Sequence, residues 1–311
     1  MFYKFSTALL VGLFFVSCSS QAETKQISQP FKKLSEVQHA SEADYIFLQD
    51  CSGKEWIYKQ ITNPTPEDQI VVVLEVLASK IAQSMDIPIN QVRVIPGKDS
   101  FEHRFFDPFP GTLHLKVAGK NTENSPPWEG FDLHQKFRTP FMVARSGPLP
   151  LEETGLRREV IQNMAKHPDL AKIAALDTYL GNNDRSNPNI FYDGKAFYGI
   201  DMGNCFMGNL AQWAYEKLKE FVEQKAIFTS EELLGLVRYR DVLQSLITQF
   251  PPARMTALLD HFLEEAGFVP NNPLLWDKGT EQKVRKWKLA IEENYQSSLK
   301  LVALLKKIGN Q

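Results

Sequence analysis

Asp184, Asn189 and Asp201 are the residues whose types and spacing could do chemistry together. Asp184 and Asn189 lie in Leu176-Asp177-Thr178-Tyr179-Leu180-Gly181-Asn182-Asn183-Asp184-Arg185-Ser186-Asn187-Pro188-Asn189-Ile190, and Asp201 lies in Ile200-Asp201-Met202-Gly203. A loop that supplies an Asp and then an Asn five residues on can aim both side chains into one cleft. A hairpin that follows can deliver a second Asp to the same place. Mg²⁺ takes a few carboxylate or amide oxygens together with phosphates and waters. Phosphoryl transfer asks for a carboxylate that orients the attacking hydroxyl, oxygen ligands for Mg²⁺, and a cation for the phosphates that stay behind. The competing reading is an ordinary polar loop and hairpin, since Asn, Asp and Gly are normal turn residues. That reading does not call for the apolar runs on both flanks, the Asp184-Arg185 pair, or the Asp-x-Gly that follows.

These residues carry a resemblance. Asp184 to Asn189 has the Asp-x-x-x-x-Asn spacing of the kinase catalytic loop. Gly181-Asn182-Asn183-Asp184-Arg185 resembles the Gly-Asn-x-Asp-Arg-His stretch of HipA-like and phosphoinositide-kinase-like enzymes, and Ile200-Asp201-Met202-Gly203 resembles their Ile-Asp-x-Gly. Ser186 stands where those enzymes usually carry His, a departure that leaves the metal set intact and bears on the rate. The resemblance spans roughly Tyr45 to Phe206. It implies an α+β, bilobal protein-kinase-like fold that uses ATP and Mg²⁺. Asp184 would then be the catalytic carboxylate, and Asn189 and Asp201 the metal ligands. Lys59 would be the catalytic, phosphate-binding lysine and Glu75 its partner. The turn Asp50 to Lys54, with Gly53 as its only glycine, would cover the phosphates.

Some of these residues also have readings of their own. The helical neighbours of Glu75 at three and four positions are Val71, Val72, Ala78 and Ser79, so its charge needs a tertiary partner or water. Arg185 is read as a support that bonds backbone carbonyls or a carboxylate of the loop, and Asp177 as a structural acceptor. His103, His114, His134 and His167 show no metal-ligand spacing and read as surface or structural residues. In a kinase-like fold Cys51 and Cys205 would face the same cleft, where a disulfide could clamp the phosphate-covering turn; two unpaired buried thiols are the rival. The implied activity is phosphate transfer from ATP to a protein or lipid hydroxyl. Transfer of AMP, or a membrane-tethered pseudokinase that binds a nucleotide or partner without turnover, are the alternatives.

The elements that must position these residues run as follows. Tyr45–Leu48 and Trp56–Ile61 read as a hairpin about a Gly-containing turn. Pro64-Thr65-Pro66-Glu67-Asp68 is a helix start, and Ile70, Val73, Leu74, Leu77 and Ile81 follow at helical spacing to about Met85. Strands are expected at Gln91–Ile95 and Thr112–Val117. Helices are expected at Glu152–Ala165 and from Pro168 to Leu180. A hairpin about Asp193-Gly194 joins Asn189–Tyr192 to Lys195–Ile200. The rest is helical: Leu210–Gln224, Ser230–Phe250, Ala253–Gly267 and Glu281–Lys307. A strand-rich first half and a helical second half suit a small β lobe on a larger α lobe. The predicted divisions are a signal at 1–22, a linker at 23–40, an N-lobe at 41–97, an irregular interlobe or insertion region at 98–150, and a helical C-lobe at 151–311.

The chain's 311 residues and 43% hydrophobic content are ample for a large core. A net charge of −2 provides no global field for nucleic acid. Phe5 to Val16 is an apolar run too short to span a bilayer, which needs roughly 20 residues, and it matches the core of a secretory signal. Val16-Ser17-Cys18 resembles the lipobox of bacterial lipoproteins, with Phe15 where Leu is usual, so Cys18 would be lipidated; cleavage after Ala22 is the other option. The expected address is therefore export, either as a lipoprotein of the bacterial outer membrane or periplasm, or as a secreted protein. The periplasm offers little ATP, which sets this address against the expected chemistry.

Overall fold

The computed structural model describes residues 31–39, 43–62, 65–96, 109–122, 158–185, 189–225 and 227–309. The signal segment with Cys18, residue Ser186 and most of the 98–150 region lie outside the described residues, as does the start of the helix expected from Glu152.

The first half is an antiparallel sheet. Its strands are β1 (Lys32–Lys33), β2 (Gln38–His39), β3 (Ala43–Gln49), β4 (Glu55–Ile61), β5 (Val92–Ile95) and β6 (Gly111–Leu115), in the order β1-β3-β4-β6-β5 with β2 also on β3. Two of the expected divisions change here. The segment read as a linker to residue 40 supplies β1 and β2. It is stitched to β3 by Leu34 N–H donating to the Phe47 carbonyl at 2.8 Å and Phe47 N–H donating to Ser35 Oγ at 3.1 Å. Backbone pairing of short polar strands leaves no apolar period to read. The second change is β6. It comes from the region read as interlobe, yet it sits between β4 and β5 and pairs with both.

Side chains alternate across a strand, and each face of this sheet has its own task. Ile46, Leu48, Trp56, Tyr58, Ile95 and Leu113 form a small core on one face. Lys59, Thr112 and His114 lie on the other, with Lys59 and Thr112 directly opposite each other in the β4–β6 register.

That second face receives a helix. Thr65 caps α1 (Pro66–Gln69) by accepting from Asp68 N–H, and α2 (Val72–Ser84) follows. One continuous helix was expected; the break comes at Ile70–Val71, where the amides of Val73 and Leu74 bond three residues back. Val72 to Ser79 are all buried, as are Ile81 and Ala82. A helix buried nearly all round belongs to the interior of the molecule rather than its surface.

The second half is helical: α3 (Arg158–Lys166), α4 (Pro168–Leu180), α5 (Leu210–Glu223), α6 (Ser230–Gln249), α7 (Pro252–Glu265) and α8 (Lys278–Gly309). A small sheet of β7 (Lys120–Asn121), β8 (Ile190–Tyr192) and β9 (Phe197–Gly199) lies between α4 and α5 in the chain, apart from β7. One continuous apolar cluster runs from α2 through α4, α6, α7 and α8, so the halves share a core. They are also joined at the backbone. Gly199 N–H donates to the Pro88 carbonyl at 2.8 Å and Asn90 N–H to the Gly199 carbonyl at 3.1 Å, with a parallel bridge at Ile89.

The helices pack closely at one glycine. A Cβ on Gly235 of α6 would lie 2.0 Å from the Ile161 carbonyl oxygen of α3. In an exposed helix, Gly→Ala stabilises by about 1 kcal/mol. Here Gly235→Ala is expected to destabilise by about 2 kcal/mol, because α3 and α6 must separate to admit the methyl. Urea denaturation of the two proteins checks both the sign and the size.

Candidate active site

The site is built from the end of α4. Gly181 terminates that helix with φ +64°, and a Cβ there would meet the Gly208 carbonyl at 2.1 Å, so the position needs glycine on two counts. Asn182 then turns inward: its N–H donates to the Asp177 carbonyl and its Nδ2 to Asp177 Oδ1, both at 2.9 Å. Its Oδ1 accepts from Asp184 N–H at 3.3 Å.

Arg185 is buried beneath this loop. Its Nε and Nη2 donate to the two carboxylate oxygens of Asp177 at 2.9 Å each. Nη1 donates to the carbonyls of Asn189 at 2.9 Å and Ile200, and Nη2 also lies 2.7 Å from the Met202 sulfur. One guanidinium thus ties α4, the loop and the hairpin strands that flank the site. Burial disfavours its charge, but the Asp177 carboxylate more than offsets this and raises the guanidinium's pKa further. The side chains of Asp177 and Arg185 are satisfied together, as a buried pair must be.

The three residues singled out by spacing hang from this frame. Asn189 Nδ2 donates to the Asp184 carbonyl at 3.0 Å, which turns its Oδ1 the other way. Asp184 Oδ2 accepts from Asn204 Nδ2 at 3.0 Å. Asp201 has φ +57°, a left-handed conformation that is uncommon outside Gly, Asn and Asp, and its side chain is over a third exposed. Such outliers concentrate where structure serves function.

Lys59 reaches this group from the sheet. Its Nζ lies 2.9 Å from Glu75 Oε1 and 3.5 Å from Asp201 Oδ1. Glu75 is buried and its other oxygen is also engaged, 3.1 Å from His114 Nε2 and 3.3 Å from Thr112 Oγ1. Burial alone would raise the carboxyl's pKa. The Lys59 ammonium and His114 outweigh that and hold it well below the usual carboxylate range. Burial likewise disfavours the Lys59 ammonium, but the charges of Glu75 and Asp201 raise its pKa well above the ordinary lysine value.

The structure therefore brings Lys59, Glu75 and Asp201 into contact, and it joins Asp184, Asn189 and Arg185 in one bonded loop. Gly53 does have a positive φ of 81° at the hairpin turn, yet the turn's hydrogen bonds are local. Asp50 Oδ1 accepts from the amides of Ser52 and Lys54, and Asp50 Oδ2 accepts from Trp56 Nε1. The possible disulfide between Cys51 and Cys205 is not formed. Cys51 is an exposed free thiol on that turn, and Cys205 is a free thiol buried behind Asp201. Burial, then the nearby Asp177 charge, push the Cys205 thiol's pKa up. The rival of two buried thiols fails for Cys51 only.

Three residues were missed: His114, Thr112 and Asn204. His114 and Thr112 are two apart on one strand, which would have placed them on one face with Lys59 had β6 been set beside β4. Nothing local marks Asn204. Among the described residues no three His, Cys, Asp or Glu side chains gather as a metal cage. One carboxylate and one amide oxygen, from Asp201 and Asn189, would be a partial donor set. Such donors are of the type Mg²⁺ takes, since it keeps waters and uses phosphate oxygens to complete its shell.

No protein-family model matches the chain, and no curated protein matches it. Similar solved structures include kinases, phosphotransferases and a pseudokinase. The Rio2 kinase–ADP/Mg²⁺–phosphoaspartate complex from Chaetomium thermophilum is 15% identical over 86% of this chain and 72% of that one, with a TM-score of 0.37. The Golgi casein kinase is 11% identical over 91% and 75%, with a TM-score of 0.44. A macrolide 2′-phosphotransferase from Brachybacterium faecium is 10% identical over 85% and 93%, with a TM-score of 0.35. At these identities and scores the functional reading has to come from the geometry of the site.

The Lys59–Glu75 pair makes stability depend on pH in a definite direction. Glu75 has a folded pKa depressed below its ordinary 4.5, so its contribution is present in full above that value and is lost as pH falls through the folded pKa. Wild type is expected to exceed Glu75→Gln by about 3 kcal/mol near neutral pH. The gap should narrow steadily below pH 4.5 in urea titrations at stepped pH.

Proposed function

We propose that this protein is an Mg²⁺- and ATP-dependent phosphotransferase with a kinase-like site, acting on a protein or lipid hydroxyl. The observation that carries the reading is the contact of Lys59 with both Glu75 and Asp201. A lysine from the sheet half meets a conformationally unusual aspartate from the helical half, 142 residues away in sequence. A structural surface ion pair would need neither the buried Glu75 nor the left-handed Asp201.

Each residue then has a task. Lys59 presents a fixed positive charge to the phosphates that are not transferred. Glu75 keeps that ammonium charged and aimed. Asp184 accepts the hydrogen bond of the acceptor hydroxyl and so orients the attacking oxygen, while Asn204 occupies one of its two carboxylate oxygens. Asn189 Oδ1 and the Asp201 carboxylate would hold Mg²⁺, which neutralises phosphate charge when bound. Arg185 acts through the loop that it fixes. Gly53, on the exposed turn, would allow the backbone to lie close to phosphates. The first 22 residues make export part of the same proposal, by lipid on Cys18 or by cleavage after Ala22. The ATP would then have to be supplied wherever the exported protein works.

The test separates binding from turnover. In wild type, MgATP at 100 times its Kd should add about 2.7 kcal/mol of stability, read as a rise in Tm. Asp201→Ala should abolish the Mg²⁺-dependent part of that rise. Asp184→Ala should keep the rise and lose phosphate transfer to protein or lipid acceptors. An MgATP-induced rise in wild type with no turnover on any acceptor would favour a nucleotide-binding module. Label transferred from the α-phosphate rather than the γ-phosphate would mean AMP transfer.

A further inference from the structure

Glu75 uses only one oxygen on Lys59. We infer that His114, with Thr112, is a positioning residue for the reaction: it braces Glu75 from behind, so that the carboxylate can hold Lys59 toward the phosphates. This deepens the phosphotransferase reading and rests on it for its catalytic meaning.

The geometry is local and closed. His114 is buried on β6, and its Nε2 lies 3.1 Å from Glu75 Oε2 and 2.8 Å from Thr112 Oγ1. The Thr112 hydroxyl is itself 3.3 Å from the same Oε2. On the far side of the ring, Asn90 Nδ2 lies 3.1 Å from His114 Nδ1. With the amide nitrogen donating there, Nδ1 is the acceptor and the proton sits on Nε2, aimed at Glu75 and Thr112. In a ring protonated on both nitrogens, with the amide turned over, Asn90 Oδ1 would accept from Nδ1–H, and Nε2–H would still point the same way. Both protonation states of the ring therefore keep the brace. Asn90 is set in turn by its backbone bond to Gly199, two residues before Asp201. The brace thus connects the sheet, α2 and the metal-side hairpin.

Without His114, the buried Oε2 keeps only the longer contact to the Thr112 hydroxyl, and the carboxylate is freer to rotate away from Lys59. The expected loss in MgATP affinity is about ten-fold, the effect of one lost hydrogen bond to a charged group. A residue that merely filled space would be replaced by leucine without that loss.

The experiment uses the full chain in six forms: wild type, His114→Leu, His114→Gln, Glu75→Gln, and each His114 variant combined with Glu75→Gln. MgATP affinity is measured by calorimetry, and the acylation rate of Lys59 by mass spectrometry, with exposed lysines as internal controls. His114→Leu should weaken MgATP about ten-fold and raise Lys59 labelling, because a loosened ammonium deprotonates more readily. His114→Gln can donate to the same oxygen and should stay within about two-fold of wild type. In the Glu75→Gln background, His114→Leu should add nothing further. The proposal is overturned if His114→Leu matches wild type in both readouts, or if its effect is the same with Glu75→Gln present. Should wild type bind no MgATP, the phosphotransferase reading falls, while Lys59 labelling still decides the brace. Should His114→Leu fail to fold, His114→Asn, too short to reach Glu75, takes its place against His114→Gln; equal Lys59 labelling in those two would overturn the proposal.

Discussion

A single buried guanidinium sets the geometry on which the site depends. Arg185 is paired with both oxygens of Asp177 and caps the carbonyls of Asn189 and Ile200. Those carbonyls belong to the residue proposed as one metal ligand and to the neighbour of the other. A charge buried this deeply is tolerated only when every one of its donors is used, and the planar fork of arginine is what allows four partners to be met at once. Lysine could not do so from the same place. The spacing from Asp184 to Asn189 has meaning because the residue beside Asp184 fixes where Asn189 begins.

The second organising contact joins the halves. Lys59 and Glu75 come from the sheet and its helix, and Asp201 from the far hairpin. Their attraction is strong because Glu75 is buried, and it is directional because the backbone joint at Pro88–Asn90 and Gly199 holds the hairpin in place beside α2. The charges do not assemble the halves. The shared apolar core does that, and the charges take up positions the core has fixed.

Much of this was legible in the sequence. The α+β division, the hairpin about residues 50–54, the helix with apolar spacing from Ile70 and the hairpin at Asp193-Gly194 all follow from local chemistry: turn residues, helix starts and period. The loop of Asp184 and Asn189 could be read because its spacing is short. What escaped was long-range. The order β4-β6-β5 is not in any local pattern, and with it went the placing of Thr112 and His114 behind Glu75. The polar strands β1 and β2 escaped because an edge pairs through its backbone, leaving no mark in side-chain type. The disulfide between Cys51 and Cys205 rested on a fold analogy alone. In the structure one thiol is on an outward turn and the other is inside.

The burial of α2 has a consequence for control. A helix that lies on the surface can be swung or withdrawn at little cost, carrying its charged residue in and out of register. Here α2 packs against the sheet on one side and the helical half on the other, with Leu74, Leu77 and Ile81 fully enclosed. Each such side chain returned to water costs about 1.5–3 kcal/mol. Moving Glu75 away from Lys59 by displacing its helix would therefore open the common core of the molecule. The pair is built in at folding rather than assembled on demand, and on the proposed phosphotransferase reading a governor of activity would have to act elsewhere, on supply of nucleotide or on access of the acceptor.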